Sequence, residues 1–291
     1  MEKNRINTIH VIKASGEKSP FSEQKLRHSL QAAGATTQQV DFIIKEVVSG
    51  LYEGITTKKI YRIAFNLLRE GSRHLAARYH LKKAIMELGP SGFPFEKYFA
   101  EILNRQGYET KVGQFLQGKC IMHEVDVVAE KEDLILMVEC KYHNQAGKFN
   151  DVQVPLYVQS RFKDIEEEWL QLATHKYKTH RGWVVSNTRF STAAIQYATC
   201  AGLNLLGWDY PANNGLKDQI DALGLYPITC LTSLTLLDKQ RLLDKSIVLC
   251  KEIYNDKHLL ELSGIKASRI SSVMKEAEQL CQHLLNNEKK Q

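Results

Sequence analysis

The sequence predicts a multi-domain chain: an α-rich N-terminal segment, a central α/β domain with a mixed sheet, and a helical C-terminal module. Three observations predict it. The 291 residues suffice for two or three domains. Apolar residues recur at helical spacing through residues 21–88 and again beyond 216, whereas between 108 and 206 several short runs rich in Val, Ile and Leu are bounded by polar turns. Charge divides in the same way. Residues 1–90 hold 15 Lys/Arg against 8 Asp/Glu, residues 91–215 hold 13 against 15, and residues 216–291 hold 11 against 10. Domains are therefore expected over 1–89, 90–215 and 216–291, and the basic first segment is the expected seat of a polyanion.

In the first segment, Thr8 to Ala14 alternates as a strand and Ser15 to Lys18 turns. Ser22 fits the N-cap of a helix, with Phe21 and Leu26 as its hydrophobic staple. A second helix is expected from Gln39 to Tyr52. Thr56 or Thr57 caps a third through Glu70, and a fourth runs from Leu75 to Leu88, before Gly89-Pro90.

Pro90-Ser91-Gly92 reads as a linker, and Pro94 suits a first helical turn. Phe95, Tyr98, Phe99, Ile102 and Leu103 form an apolar stripe with Glu96 just off it, and Gly107 ends the helix. A strand begins at Tyr108–Val112. The stretch from His123 to His143 then reads as a β-hairpin. Val125, Val127 and Val128 surround Asp126, and Leu134 to Val138 lead into Glu139, Cys140 and Lys141. Alternation along a strand projects Glu139 and Lys141 together and Cys140 away, and register can bring Asp126 beside them. Burying two carboxylates and an ammonium is costly, and a divalent cation would offset the cost. Mg²⁺ suits a few carboxylate oxygens plus substrate phosphate. A neighbouring lysine can orient or deprotonate a water and stabilise developing negative charge, which is the chemistry of phosphodiester hydrolysis. The same residues also fit a hairpin whose charges reach solvent or pair. Beyond it, Gln153, Tyr157, Ser160 and Arg161 share one helical side. Trp183–Ser186, Asn187–Ser191, Thr192–Ala201 and Leu203–Leu206 read as strand, turn, helix and strand, completing a mixed sheet flanked by helices.

Composition narrows the class. Hydrophobic residues are 43% and charged residues 25%, as in soluble globular proteins. No apolar run reaches membrane-spanning length, and the N-terminus lacks the apolar core of a signal peptide. The six cysteines form no C-x-x-C pair, which favours reduced thiols in a cytoplasmic protein over disulfides or a zinc site.

Residues 8–88, through VIKASGEKSPFSEQKLRHSL and AARYHLKKAI, resemble the ATP-cone, the small regulatory nucleotide-binding domain of ribonucleotide reductases and their repressors. Val11, Lys13, Gly16, Phe21, Lys25, Leu26, Ala76 and Tyr79 stand at the family's positions. Ala14 and Ser15 replace its usual Arg and Asp, which removes one phosphate contact. The resemblance implies ATP or dATP as ligand, with Val11, Lys13, Lys25, Arg27 and Tyr79 as binding residues. The central segment resembles restriction-endonuclease-like folds of the Mrr type, whose pattern is a helical Glu, then Asp, then Glu-x-Lys. Glu96, Asp126, Glu139 and Lys141 match in order, and Gly107 matches the hinge before the first strand. That resemblance implies a Mg²⁺- or Mn²⁺-dependent endonuclease acting on double-stranded DNA. Asp126, Glu139 and the Cys140 carbonyl would hold the metal, Lys141 would position the attacking water, and Glu96 and Gln153 would support the site. In the tail, LLELSGIKASRISSVMKEAEQL resembles the second half of a helix–hairpin–helix, with a single Gly where that family has two. It implies phosphate contacts by Gly264, Lys266 and Arg269, while Leu231 to Ile253 reads as a degenerate first copy. A nuclease with this architecture is expected to be a nucleotide-regulated homo-oligomer of the restriction type. A junction or repair nuclease and a non-cutting nucleotide-responsive regulator are the other readings.

Overall fold

The computed structural model describes residues 9–145, 147–254 and 256–288. The chain forms two compact units. Among the described residues, one joins 9–84 to those from 226 to 288, and the other spans those from 85 to 225. The partition expected at 216 therefore falls inside the second unit, because α9 (Leu216–Leu223) belongs with the sheet domain.

In the first unit, β1 (His10–Ile12) pairs antiparallel with β2 (Lys18–Pro20) and parallel with β3 (Ile55–Thr56). Thr8, the expected start of β1, lies outside the described residues. The strands β2 and β3 are too short, and β2 too polar, to carry a periodic signal. The helices α1 (Glu23–Ala32), α2 (Thr37–Ser49) and α3 (Thr57–Gly71) are capped by Ser22, Thr36 and Thr56, whose side chains accept from backbone N–H groups of the first turn. Phe21, Leu26, Leu30, Val40, Ile44, Ile60 and Leu68 form their common core. The single helix expected over 75–88 is two: α4 (Arg73–Tyr79) and α5 (Leu81–Met86). The pause falls at His80, which is buried with Nδ1 2.6 Å from the Tyr61 hydroxyl.

The tail supplies a 3₁₀ turn (Ile228–Cys230) and the helices α10 (Leu236–Asp244), α11 (Cys250–Tyr254), α12 (Lys257–Leu262) and α13 (Ala267–Glu288). Two of its turns are built alike. Ser246 (φ 64°) precedes buried Ile247, whose N–H donates to the Leu242 carbonyl. Gly264 (φ 73°) precedes buried Ile265, whose N–H donates to the Leu260 carbonyl. The same helix-ending bond follows Gly34, Gly107, Gly202 and Gly224, so it is a general C-terminal cap and not a mark of a repeated unit over Leu231–Ile253.

In the second unit, α6 (Phe93–Arg105) leads through Gly107 (φ 88°) into β4 (Glu109–Gln117), β5 (Met122–Lys131) and β6 (Leu134–Lys141). β7 (Phe149–Asn150) precedes α7 (Gln153–Trp169), β8 (Thr179–Ser186), β9 (Arg189–Phe190), α8 (Thr192–Ala201) and β10 (Asn204–Leu206). The main sheet has order β10-β8-β6-β5-β4. β4, β5 and β6 are antiparallel, and β8 and β10 add parallel to β6, as the mixed sheet expected. α7 covers one face, where Val158, Phe162, Ile165 and Trp169 pack on Ile135, Met137 and Val184. Gly182 is required on β8, since a Cβ there would fall 2.3 Å from Phe162 Cδ2.

Candidate active site

The site lies where β5 and β6 part. Their ladder runs from Lys131 opposite Leu134 to Val127 opposite Val138, and the next positions along it are Asp126 and Glu139. On the other edge of β5, pairing with β4 skips Gly113 (φ 63°) and Asp126, while Val112–Val127 and Gln114–Val125 pair on either side. This interruption switches the pleat. Below it, Val128 packs with the α7 face. Above it, Val125 does so and His123 reaches Asp164 of α7. Asp126 sits at the switch, freed from the ladder, and its Oδ2 accepts from the Cys140 backbone N–H at 2.6 Å.

Three carboxylates, Glu96, Asp126 and Glu139, lie within electrostatic reach of one another here. Glu139 is 5% exposed. Its Oε1 accepts from Lys141 Nζ at 2.5 Å and its Oε2 from Arg161 Nη1 at 2.7 Å. Burial, then repulsion from Glu139, pushes Asp126 up to about 6, although the Cys140 N–H, Lys141 and Arg161 oppose the rise. Glu96, in the first turn of α6, is pushed up to about 7 by burial and then by Asp126, Glu124 and Glu139. Burial, and after it the neighbouring carboxylates, disfavours the charged form of both acids, and the two cations present are both engaged by Glu139. Among the described residues no three His, Cys, Asp or Glu side chains stand as a ready-made metal cluster, but the carboxylates of Asp126 and Glu139 are donors of the type that Mg²⁺ or Mn²⁺ takes with water and substrate oxygens completing the shell, so the chemistry of the residues present fits such an ion. The Cys140 thiol is buried and pushed well up by burial, which leaves its backbone carbonyl as the group with chemistry to offer.

A second layer fixes the strand ends. Asn187 brackets the His143 backbone, accepting from its N–H at 2.9 Å and donating to its carbonyl at 2.7 Å. Ser186 Oγ donates to the Lys141 carbonyl at 2.7 Å. Buried Asn150 donates through Nδ2 to Ser186, Thr188 and the Arg189 carbonyl, so its Oδ1 accepts from His143 Nε2 at 3.1 Å. His143 is thus a half-buried member of a polar network. At the far end of the β4–β5 hairpin, Asp164 accepts from the Cys120 and Ile121 N–H groups and pairs with His123 at 2.8 Å. The bond to His123, then that to Cys120, draws its carboxyl down to about 2. His123 is thus a bonded contact, 10% exposed at its side chain.

The sequence-derived residues divide accordingly. Glu96, Asp126, Glu139, Cys140 and Lys141 come together. Gln153 stays exposed on the first turn of α7, its backbone N–H held by Asp151. Arg161, read as sharing a helical side with Gln153, binds the buried Glu139 carboxylate. Its signal was faint: a charged residue bordering the α7 stripe of Val158, Phe162 and Ile165. Glu124, whose charge reaches Glu96, lies within the expected hairpin, whereas the brackets from Asn150 and Asn187 come from segments with no periodic mark.

In the first unit, Val11 is a core residue at 5% exposure, and Tyr79 stacks on Tyr61 at 5.2 Å, with its hydroxyl pushed up to about 12 by burial. Lys13 pairs with Glu17, Arg27 pairs with Glu23 and Asp41, and Lys25 is exposed. In the tail, Lys266 is exposed beside Gly264. Arg269 turns inward to Asp238 at 2.8 Å and to the Ser233 carbonyl.

The comparisons agree with this division of the chain. An ATP cone domain model matches residues 9–85, a restriction endonuclease model of the Mrr catalytic type matches 89–209, and an AF1548-like C-terminal model matches 226–281. An uncharacterized protein of Archaeoglobus fulgidus is 33% identical over 186 residues, covering 62% of this chain and 98% of that relative. A crystal structure of AF1548, titled a protein of unknown function, aligns with a TM-score of 0.55 at 30% identity, covering 66% of this chain and 100% of that one. No helix among the described residues is long and apolar enough to cross a membrane. The chain belongs to the AF1548-like family and carries, in order, an ATP-cone, an Mrr-type restriction-endonuclease domain and an AF1548-like C-terminal domain.

Proposed function

We propose that this protein is a Mg²⁺- or Mn²⁺-dependent endonuclease of the restriction type. It hydrolyses phosphodiester bonds of double-stranded DNA and is regulated by ATP or dATP on its N-terminal domain. The observation that carries the reading is the convergence of Asp126, Glu139 and Lys141 where β5 and β6 part, inside the segment matched by the restriction-endonuclease model. Asp126, Glu139 and the Cys140 carbonyl would hold the ion, which when bound supplies charge neutralisation and Lewis acidity at the scissile phosphate. Lys141, 32% exposed, directs its ammonium protons at the attacking water and the phosphate oxygens. Glu96, with its carboxyl near neutrality, accepts or releases a proton beside that water. Gln153 borders the substrate side of α7.

In the N-terminal domain, Val11 shapes the floor of the nucleotide site, Lys13, Lys25 and Arg27 meet the phosphates, and Tyr79 supports the site from α4. Gly264 and Lys266 contact the DNA backbone, with Arg269 bracing that turn. The protein works as a cytoplasmic homo-oligomer.

The test is cleavage of plasmid, methylated plasmid and branched DNA with Mg²⁺ or EDTA, wild type beside Asp126→Ala. Metal-dependent cutting that disappears in the variant is expected. Preference for branched DNA would replace the restriction reading with a junction nuclease. Failure to cut any of these substrates, with or without ATP, would favour a nucleotide-responsive regulator.

A further inference from the structure

Two cations share the Glu139 carboxylate, and they are not equivalent. Lys141 stands two residues along the same strand, 32% exposed, on a flexible stem. Arg161 comes from α7 and is 13% exposed. Its guanidinium spans two strands: Nη1 donates to Glu139 Oε2 on β6, and Nη2 donates to the Glu124 carbonyl on β5, two residues before Asp126. The same group lies over the Tyr157 ring, 5.3 Å from its centre. The helix beneath cannot drift, since Val158, Phe162 and Ile165 anchor it in the core and Asp164 binds the hairpin end. A planar guanidinium with donors in fixed directions sets the separation of its two acceptors, whereas an ammonium is a rotatable point charge.

We propose that Arg161 is the positioning residue of the site. It holds Glu139 and the β5 backbone beside Asp126 in the metal-ligating arrangement, and so lets Lys141 leave Glu139 to serve the reacting water and phosphate. The inference rests on the nuclease reading above. One ammonium cannot fix the carboxylate and attend the substrate with the same protons. A second, permanent partner for Glu139 resolves that conflict.

The experiment measures Mn²⁺ affinity of the full chain by electron paramagnetic resonance, beside plasmid cleavage across a Mn²⁺ titration. The proteins are wild type, Arg161→Ala, Arg161→Lys, Arg161→Gln and Lys141→Ala. Groups that orient ligands are worth about 10- to 100-fold in metal affinity. Arg161→Ala is therefore expected to weaken Mn²⁺ binding at least about tenfold. It should shift the Mn²⁺ needed for half-maximal cleavage by the same factor, with activity returning at saturation. Arg161→Lys should recover part of the affinity. Lys141→Ala should bind Mn²⁺ nearly as wild type does and cut at no concentration. If Arg161→Ala fails to fold, as judged by circular dichroism, Arg161→Gln and Arg161→Lys carry the comparison.

Wild-type Mn²⁺ affinity in the Arg161 variants would overturn the proposal. So would a Lys141→Ala affinity loss equal to that of Arg161→Ala, or an activity loss in Arg161→Ala that saturating Mn²⁺ does not restore. Mn²⁺ binding that depends on Arg161 in a protein that cuts no DNA would sink the nuclease reading and leave the positioning role standing. A wild type that binds no Mn²⁺ would sink both.

Discussion

The parting of β5 and β6 and the cationic face of the ATP-cone hold similar residue types in opposite states. At the strand ends, Glu96, Asp126, Glu139, Lys141 and Arg161 arrive from four elements and meet in partial burial, where each charge alters its neighbours. In the cone, Lys13 is paired with Glu17 on its own turn, and half-buried Arg27 with Glu23 one turn away and with Asp41 on α2, with all three carboxylates exposed. Tertiary packing has already gathered the first set, with an electrostatic conflict that a cation relieves. The second set is satisfied by carboxylates close by, so on the nucleotide-binding proposal an incoming polyphosphate would have to displace them before it gained the cations. On the proposed function, the first region suits chemistry in a fixed geometry and the second a ligand that does its own gathering.

The largest effect should come from the preorganised site. Lys141→Ala and Asp126→Ala should each lower cleavage by about 1000-fold or more, as expected when a preorganised charge is lost from a reacting centre. Circular dichroism should show the fold retained. Near-wild-type cutting by Lys141→Ala would dissolve the contrast with the cone.

The support under the site comes next. In Gly182→Ala the new Cβ would meet Phe162 Cδ2 at 2.3 Å and Leu203 Cδ1 at 2.7 Å, pressing on the helix that carries Arg161. Overpacking of this kind costs about 1–3 kcal/mol. Thermal melting should show the loss, together with a higher Mn²⁺ requirement for cleavage. An unchanged melt would mean that α7 adjusts freely.

A third test uses pH. Glu96 and Asp126 bind protons more tightly in the folded chain, at about 7 and about 6, than carboxyls do in an unfolded one. Between the usual carboxylate range and pH 7 the folded state therefore holds the extra protons. Metal-free stability should fall as pH rises through that window, and the penalty is complete above it. Mg²⁺ should thus raise the melting temperature more at pH 8 than at pH 5.5, by about a few degrees. Equal shifts at both pH values would remove crowding as the reason for metal affinity.

The smallest effect belongs to the cone. If Glu17 and Asp41 compete with phosphate, Glu17→Gln and Asp41→Asn should tighten ATP binding by about two- to fivefold in calorimetry, the scale of an exposed ion pair. Weaker binding in both would show that these acids belong to the ligand site.

Much of this was legible from residue types and periodicity. Ser22 and Thr56 cap helices because a short side-chain oxygen satisfies N–H groups a few residues away. The apolar stripe of α6 and the Val/Ile/Leu runs of β5 and β6 mark faces that must be buried, and Glu139 and Lys141 share a side by alternation alone. The short strands β2, β3, β7 and β9 were not legible, since two or three residues acquire strand geometry only from a partner distant in sequence.

By itself, then, the sequence determined which segments are helical, where the buried hairpin lies, and that two carboxylates and a lysine stand at its end. These are local properties, carried by neighbours within a few positions. Only the tertiary structure decided that Arg161, 22 residues from Glu139, binds it. The same holds for Asn187, 44 residues from His143, which brackets it, and for the pleat switch at Gly113 that frees Asp126 from the ladder. It also decided that Arg269 turns inward to Asp238 and that the C-terminal helices share a compact unit with the cone. A contact between distant positions depends on the path of everything between them, and no local pattern of residue types records that path.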